Sequence, residues 1–346
     1  MKSLAVLVLI IAALIAAIAE SAHPRSVKSY NINLDAAPET RWNEVVDDFA
    51  EFFPELIPAI KQYVPGEVLP LLDVVGDSVD TYLPEPYAAE ILGIGQRSKT
   101  SVGEIAILNI LYDLLAGCTS IVAEDEEGRI YHARNLDYQL TQILQNITLV
   151  ANFQRGGRTV YTGTTYAGYT GLLTGQRPYV FSVSLDQRDA GKHWMNAATA
   201  LLAKNASIVS FLIRNTLENV QSYKEALDIL SHTTFIAPSY IIIAGTKSGE
   251  GAVITRDRIT ARDVWTLDPP ERWFLVETNY DHWEPPPKDD DRRDPANQHM
   301  NKIGRQNISL DELFSVLKTP PVLNNSTTYT TLMCAAVPNN YATWAW

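Results

Sequence analysis

Cysteine is scarce: the 346-residue chain has two, Cys118 and Cys334. That excludes the disulfide framework on which small secreted domains rely, and leaves room for one bridge at most. Cationic residues are outnumbered, 28 Lys and Arg against 40 Asp and Glu, for a formal net charge of −12. No basic face is available for nucleic acid. The six histidines show no spacing suggestive of a nucleophile–histidine triad. Beyond residue 19 no apolar run approaches the ~20 residues of a bilayer-spanning helix. With 46% hydrophobic and 20% charged residues, the chain has the composition of a globular protein rather than a disordered one.

The amino terminus is different. Met1 to Ser3 form a short charged region, Leu4 to Ala19 an apolar run, and Ala17 to Ala19 offer small residues for a signal peptidase. Residues 1–19 are expected to be a signal peptide, with a signal anchor as the alternative. N-glycosylation sequons begin at Asn146, Asn205, Asn307, Asn324 and Asn325, in keeping with a secretory route.

The chain is organised around Ala116 to Tyr138. Thr119 to Ala123 and Arg129 to Ala133 alternate like strands, and Glu124 to Gly128 is a polar turn in which Gly128 can take φ > 0. The hairpin sets Cys118 at its mouth and brings Arg134, Asn135 and Asp137 to the same neighbourhood. Upstream the pattern is helical: Glu39 to Tyr63 with kinks at Pro54 and Pro58, Val68 to Tyr82, Tyr87 to Gly95, and a helix from the Ser101–Glu104 capping box to about Leu115. Downstream, strands are expected at Thr148 to Phe153, Thr159 to Gly163 and Val180 to Leu185. Helices follow at Trp194 to Leu202, Ile208 to Thr216 and Ser222 to Leu230, then strands at Ser239 to Gly245, Gly251 to Arg256 and Trp273 to Thr278. A proline-rich charged loop from Trp283, a helix from Ser309 to Leu317 and a strand from Thr327 to Met333 complete an α+β domain behind a helical leader.

The segments Cys118 to Asp125, Tyr131 to Tyr138, Thr162 to Gly175, Val253 to Arg258, Val276 to Trp283 and Asp289 to Arg293, with Tyr30 to Asp35 upstream, resemble the acid ceramidase family over essentially the whole mature chain. The resemblance implies an αββα N-terminal-nucleophile hydrolase made as a precursor and cut autocatalytically before Cys118. Residues 20–117 would become a helical α subunit and 118–346 a catalytic β subunit, associated as a heterodimer. It implies Cys118 as nucleophile, Arg134 and Asp137 beside it, Asn279 at the oxyanion and Arg292 completing the pocket, with no cofactor and no metal. Gln187 stands where the family carries Glu. The implied compartment is the lysosome lumen, or the exterior if secreted.

The chemistry fits these residue types. Cutting before Cys118 frees an α-amine of ordinary pKa about 7.7–8.0, able to act as base to the thiol and then as acid to the leaving amine. No histidine is needed. Within the family, the short connection after Tyr138 and the segment Asn279 to Trp283 resemble the branch that acts on N-acylethanolamines, and Ile236 to Tyr240 and Lys318 to Asn324 resemble the ceramidase branch; the resemblance implies N-acylethanolamines as substrates, with ceramide as the alternative. Phe52, Phe53, Leu56 and Ile57, with Tyr166 to Leu173, could form an acyl channel and a patch for peripheral membrane contact, or ordinary core. A different class, a non-catalytic secreted lipid-binding glycoprotein, would need none of Cys118, Arg134, Asp137 and Asn279. A Cys118–Cys334 disulfide would exclude the hydrolase.

Overall fold

A computed structural model describes residues 24–62, 79–111, 116–188 and 207–346, without the side chains of residues 111 and 116. The signal peptide, most of the helix expected at Val68 to Tyr82, the last turn of the one expected to reach Leu115, the helix expected at Trp194 to Leu202 and the sequon residue Asn205 lie outside the described residues.

In chain order the strands are β1 (Arg25–Ser26), β2 (Lys28–Asn33), β3 (Ala116–Glu124), β4 (Ile130–Tyr138), β5 (Thr148–Arg155), β6 (Arg158–Tyr166), β7 (Thr174–Arg177), β8 (Phe181–Gln187), β9 (Ser239–Ala244), β10 (Gly251–Arg256), β11 (Ala261–Thr266), β12 (Phe274–Glu277), β13 (Thr327–Met333) and β14 (Ala342–Ala345). They form a six-stranded sheet in the order β1-β14-β13-β4-β3-β12 and an eight-stranded sheet in the order β11-β10-β9-β8-β7-β6-β5-β2. The sheets pack face to face, with Val122, Ile130 and Leu275 of the first against Tyr240, Ile242 and Val253 of the second. Helices Arg293–Ile303 and Leu310–Leu317 cover the outer side of the first sheet through Met300, Leu313, Val316 and Leu317 against Ile121 and Ala133. The leader and helix Val209–Asn219 bury their apolar faces with the second sheet. The result is an αββα sandwich.

Local chemistry explains the element ends. Gly128 sits at φ +80° in the β3–β4 turn, and Gly156 and Gly157 at +56° and +73° between β5 and β6, values that glycine adopts without a Cβ penalty. The capping box is reciprocal: the Glu104 N–H donates to Ser101 Oγ at 3.2 Å and the Ser101 N–H to Glu104 Oε2 at 3.1 Å. Pro58 does not interrupt its helix, which runs Phe53–Lys61. In so short a helix it forfeits a single intrahelical hydrogen bond.

The leader is woven into both sheets. β2 pairs in parallel with β5 along Lys28–Asn33, and β1 pairs with β14. Glu90, fully buried on helix Tyr87–Ser98, accepts from Trp42 Nε1 at 2.8 Å, from Arg41 at 3.0 Å and from both terminal nitrogens of buried Arg214 on helix Val209–Asn219. Phe53, Leu56, Ile57, Tyr166, Tyr169 and Leu172 are buried core residues, with Phe52 packed against them. The membrane-patch alternative for these residues therefore gives way to the core. Cys118 and Cys334 are free thiols in different hydrophobic clusters, so the expected hydrolase is not blocked by a disulfide.

Candidate active site

β3 and β4 pair with Cys118 opposite Leu136, Ser120 opposite Arg134 and Gly117 opposite Asp137. Side chains alternate along a strand, and this register decides which groups meet. Cys118, Ser120, His132 and Arg134 face the inter-sheet space and β8. The hydrogen bonds show it: Ser120 Oγ to Ser184 Oγ at 2.9 Å and to Asp186 Oδ1 at 2.8 Å, and His132 to Ser182 and Ser184 at 3.0 and 2.9 Å. Asp137 lies on the opposite face at the strand end, accepting from Thr327 Oγ1 at 2.7 Å and Asn324 Nδ2 at 2.9 Å.

Cys118 is fully buried. Arg134 Nη2 lies 2.8 Å from its Sγ and also donates to the Leu185 carbonyl at 3.0 Å, while Nη1 donates to Thr174 Oγ1 at 2.7 Å. Burial pushes the thiol well up, and Arg134 pulls against it. Burial favours a neutral guanidinium as well, but Cys118, Tyr329 and Asp186 together hold Arg134 charged.

The backbone of Cys118 is gripped separately. Its N–H donates to Asn279 Oδ1 at 2.7 Å, and its carbonyl accepts from Arg292 Nη1 at 2.5 Å. Arg292 Nη2 also donates to Asn279 Oδ1, at 2.7 Å, Nη1 reaches Asp137 at 3.2 Å, and Asp290 clamps the guanidinium at 2.6 and 2.8 Å. Arg292 is thus a buried bidentate residue and not part of a solvated charge run. A cavity of about 520 Å³ lined by Gly117, Asp137, Lys288, Asp290, Arg292 and Asn324, among others, opens beside Gly117 on this side.

All five expected residues converge, but Asn279 is turned the other way from the oxyanion role. In the uncut chain its N–H donates to the Gln187 carbonyl at 2.6 Å, and its oxygen receives the Cys118 N–H and Arg292. Two donors flank Oδ1 and an acceptor flanks Nδ2, which fixes the amide orientation. Ser120, His132, Asp186 and Glu277 were missed by sequence. Burial pushes Asp186 up to about 7, against the pull of Arg134 and Ser120. Burial, then Arg134, takes His132 down to about 3, so its ring is neutral. Burial also raises Asp137, against Arg292, Thr327 and Asn324. Among the described residues no group of three or more His, Cys, Asp or Glu is placed to hold a metal, and no helix is long and apolar enough to cross a membrane.

A thiol under a guanidinium, between two sheets, on the residue that follows Gly117, is an arrangement suited to nucleophilic attack on an amide carbonyl. Residues 118–294 match the family described as linear amide C–N hydrolases, choloylglycine hydrolase family, and residues 25–83 match the beta subunit of N-acylethanolamine-hydrolyzing acid amidase. That description gives the leader region the letter beta, the reverse of the lettering used above. N-acylethanolamine-hydrolyzing acid amidase of Rattus norvegicus is 44% identical over 92% of this chain and 89% of its own length. Acid ceramidase of Homo sapiens is 39% identical over 89% and 83%. A solved Caenorhabditis elegans N-acylethanolamine-hydrolyzing acid amidase ortholog aligns with TM-score 0.61 and 45% identity over 66% of this chain and all of that one. The chain belongs to the acid ceramidase and N-acylethanolamine acid amidase family of linear amide hydrolases.

Proposed function

We propose that this protein hydrolyses N-acylethanolamines, such as palmitoylethanolamide, to fatty acid and ethanolamine, after cutting itself between Gly117 and Cys118 into a leader (20–117) and a catalytic chain (118–346). The observation that carries the proposal is the pairing of Arg134 Nη2 with Cys118 Sγ at 2.8 Å while the Cys118 N–H rests on Asn279 Oδ1 at 2.7 Å. Once the bond is cut, the same nitrogen is an α-amine held by Asn279. It accepts the thiol proton, Arg134 stabilises the thiolate, and sulfur attacks the amide carbonyl. The protonated amine then supplies the proton with which the leaving ethanolamine departs. Water hydrolyses the thioester. Arg292 and Asp137 hold the Cys118 backbone and Asn279 in register throughout.

The route is secretory and the destination an acidic lumen. The relatives' names support the N-acylethanolamine choice. Turnover of palmitoylethanolamide and of ceramide, measured side by side at acidic pH in detergent, tests it. Faster turnover of the ethanolamide is expected, and faster ceramide turnover reverses the substrate assignment.

A further inference from the structure

The uncut chain faces a problem that the cut one does not. Its Cys118 nitrogen is tied in a peptide bond, so no α-amine serves the thiol, and the charges around the sulfur decide whether attack begins. Asp186 on β8 is one of them. It is fully buried; Oδ1 accepts from Ser120 Oγ at 2.8 Å and lies 3.4 Å from Arg134 Nη2, the same nitrogen that touches Cys118 Sγ. Oδ2 has no protein hydrogen-bond partner. Titratable neighbours approach from each packed element. Cys118 lies on β3 and Arg134 on β4. His132, also on β4, is reached through Ser184 and Ser120. Glu277 on β12 stands opposite Ser120, Arg292 precedes helix Arg293–Ile303, and Tyr240 on β9 is the register partner of Asp186.

We propose that Asp186 is a positioning residue that controls self-cleavage: ionised, it draws the Arg134 guanidinium away and opposes negative charge on the Cys118 sulfur, and protonated, it releases both. The surrounding titrations agree. Burial and, further, Asp186 push Glu277 well up, and His132, taken down to about 3 by burial and then Arg134, is neutral. Burial takes Asp186 up to about 7, and its charge in turn raises the Cys118 thiol. Passage from a neutral to an acidic compartment therefore switches this carboxyl off. In the step it permits, sulfur bonds to the Gly117 carbonyl carbon, the Gly117–Cys118 C–N bond breaks, and the thiol proton ends on the departing nitrogen. Water then hydrolyses the thioester, leaving a Gly117 carboxylate and the restored thiol beside a free α-amine. No oxidant or reductant is involved.

The proposal rests on Cys118 being the self-cleaving nucleophile, and the test separates the two. The first-order rate constant for cutting of the purified precursor is followed by intact mass from pH 8 to pH 5. The wild-type rate rises about tenfold, as does the protonated fraction of a group titrating near 7. Asp186→Asn, neutral throughout, cuts at pH 8 as fast as at pH 5, whereas Asp186→Glu keeps a pH-dependent rate. Ser120→Ala removes a hydrogen bond that favours the carboxylate and moves the midpoint to higher pH. An Asp186→Asn protein that folds yet keeps the wild-type slope, or does not cut, overturns the proposal. Where that variant does not fold, an unmoved midpoint in Ser120→Ala overturns it instead. Cutting that persists in Cys118→Ala defeats the nucleophile assignment itself.

Discussion

Glu90 to Ala strikes the ion cluster that joins the leader to the catalytic part. Both Glu90 and Arg214 have fully buried side chains, and Arg214 is further held by Tyr161 Oη at 3.0 Å and the Thr170 carbonyl at 2.8 Å. Phe153 and Tyr87 face its guanidinium at 4.6 and 5.1 Å. Alanine leaves this guanidinium without its counter-charge in a site that water does not reach. Removing one partner of a buried pair costs about 3–5 kcal/mol, a large part of the ~5–15 kcal/mol of a typical domain. For the cut protein the same energy weakens leader binding by roughly a hundred- to several-thousand-fold. β2 still pairs with β5, so the leader becomes exchangeable rather than lost. Thermal unfolding of the precursor and native mass spectrometry of the cut form on dilution read the two effects. The double variant Glu90→Leu with Arg214→Met, apolar on both sides, recovers most of the loss. A Glu90→Ala protein with unchanged melting temperature and leader retention, or a double variant worse than the single, refutes the reasoning.

Arg292→Lys keeps the charge but loses the fork that spans Asp290, Asn279, Asp137 and the Cys118 carbonyl. Initial-rate assays should show a kcat lower by roughly 10²-fold with the fold intact by circular dichroism. Asn109 is buried, donating to the Ile105 and Gly168 carbonyls and accepting from Thr170. Asn109→Ala is expected to cost about 2–3 kcal/mol in denaturant unfolding. Asp186 titrates near 7 folded and near 3.9 unfolded, so the folded state binds the extra proton between these values. Stability contributed by this group is complete below about pH 4 and is lost as pH rises to about 7. In a Cys118→Ala background, which prevents cutting, the melting temperature should fall over that window, and Asp186→Asn should reduce the fall.

Much of this was legible in the sequence because local chemistry and alternation agree. The Gly128 turn, the Ser101–Glu104 capping box and the strand Thr327–Met333 lie where turn, cap and period place them. Helix Arg293–Ile303 was hidden because it is mostly polar and begins in a charge run. The edge strand β11 alternates partly exposed with exposed residues, and so offers no clear apolar face. The inner polar stripe was hidden for another reason. Ser182, Ser184 and Asp186 alternate with Phe181, Val183 and Leu185, which reads as a half-exposed strand, yet the other sheet buries the polar face and the leader and helix Val209–Asn219 bury the apolar one. The orientation of Asn279 depends on donors more than ten residues away along the chain, and spacing carries no trace of it.

The central claim is that Cys118 becomes an amino-terminal nucleophile by its own action. Its most direct measurement is amino-terminal sequencing and lipid-amide assay of the purified precursor, with Cys118→Ala in parallel, before and after incubation at mildly acidic pH over a range of protein concentrations. The predicted result is a new chain beginning with Cys118, Thr119 and Ser120, formed at a rate independent of concentration and together with activity, while Cys118→Ala stays single and inactive. Full activity from an uncut chain, or amide hydrolysis by Cys118→Ala, would contradict it.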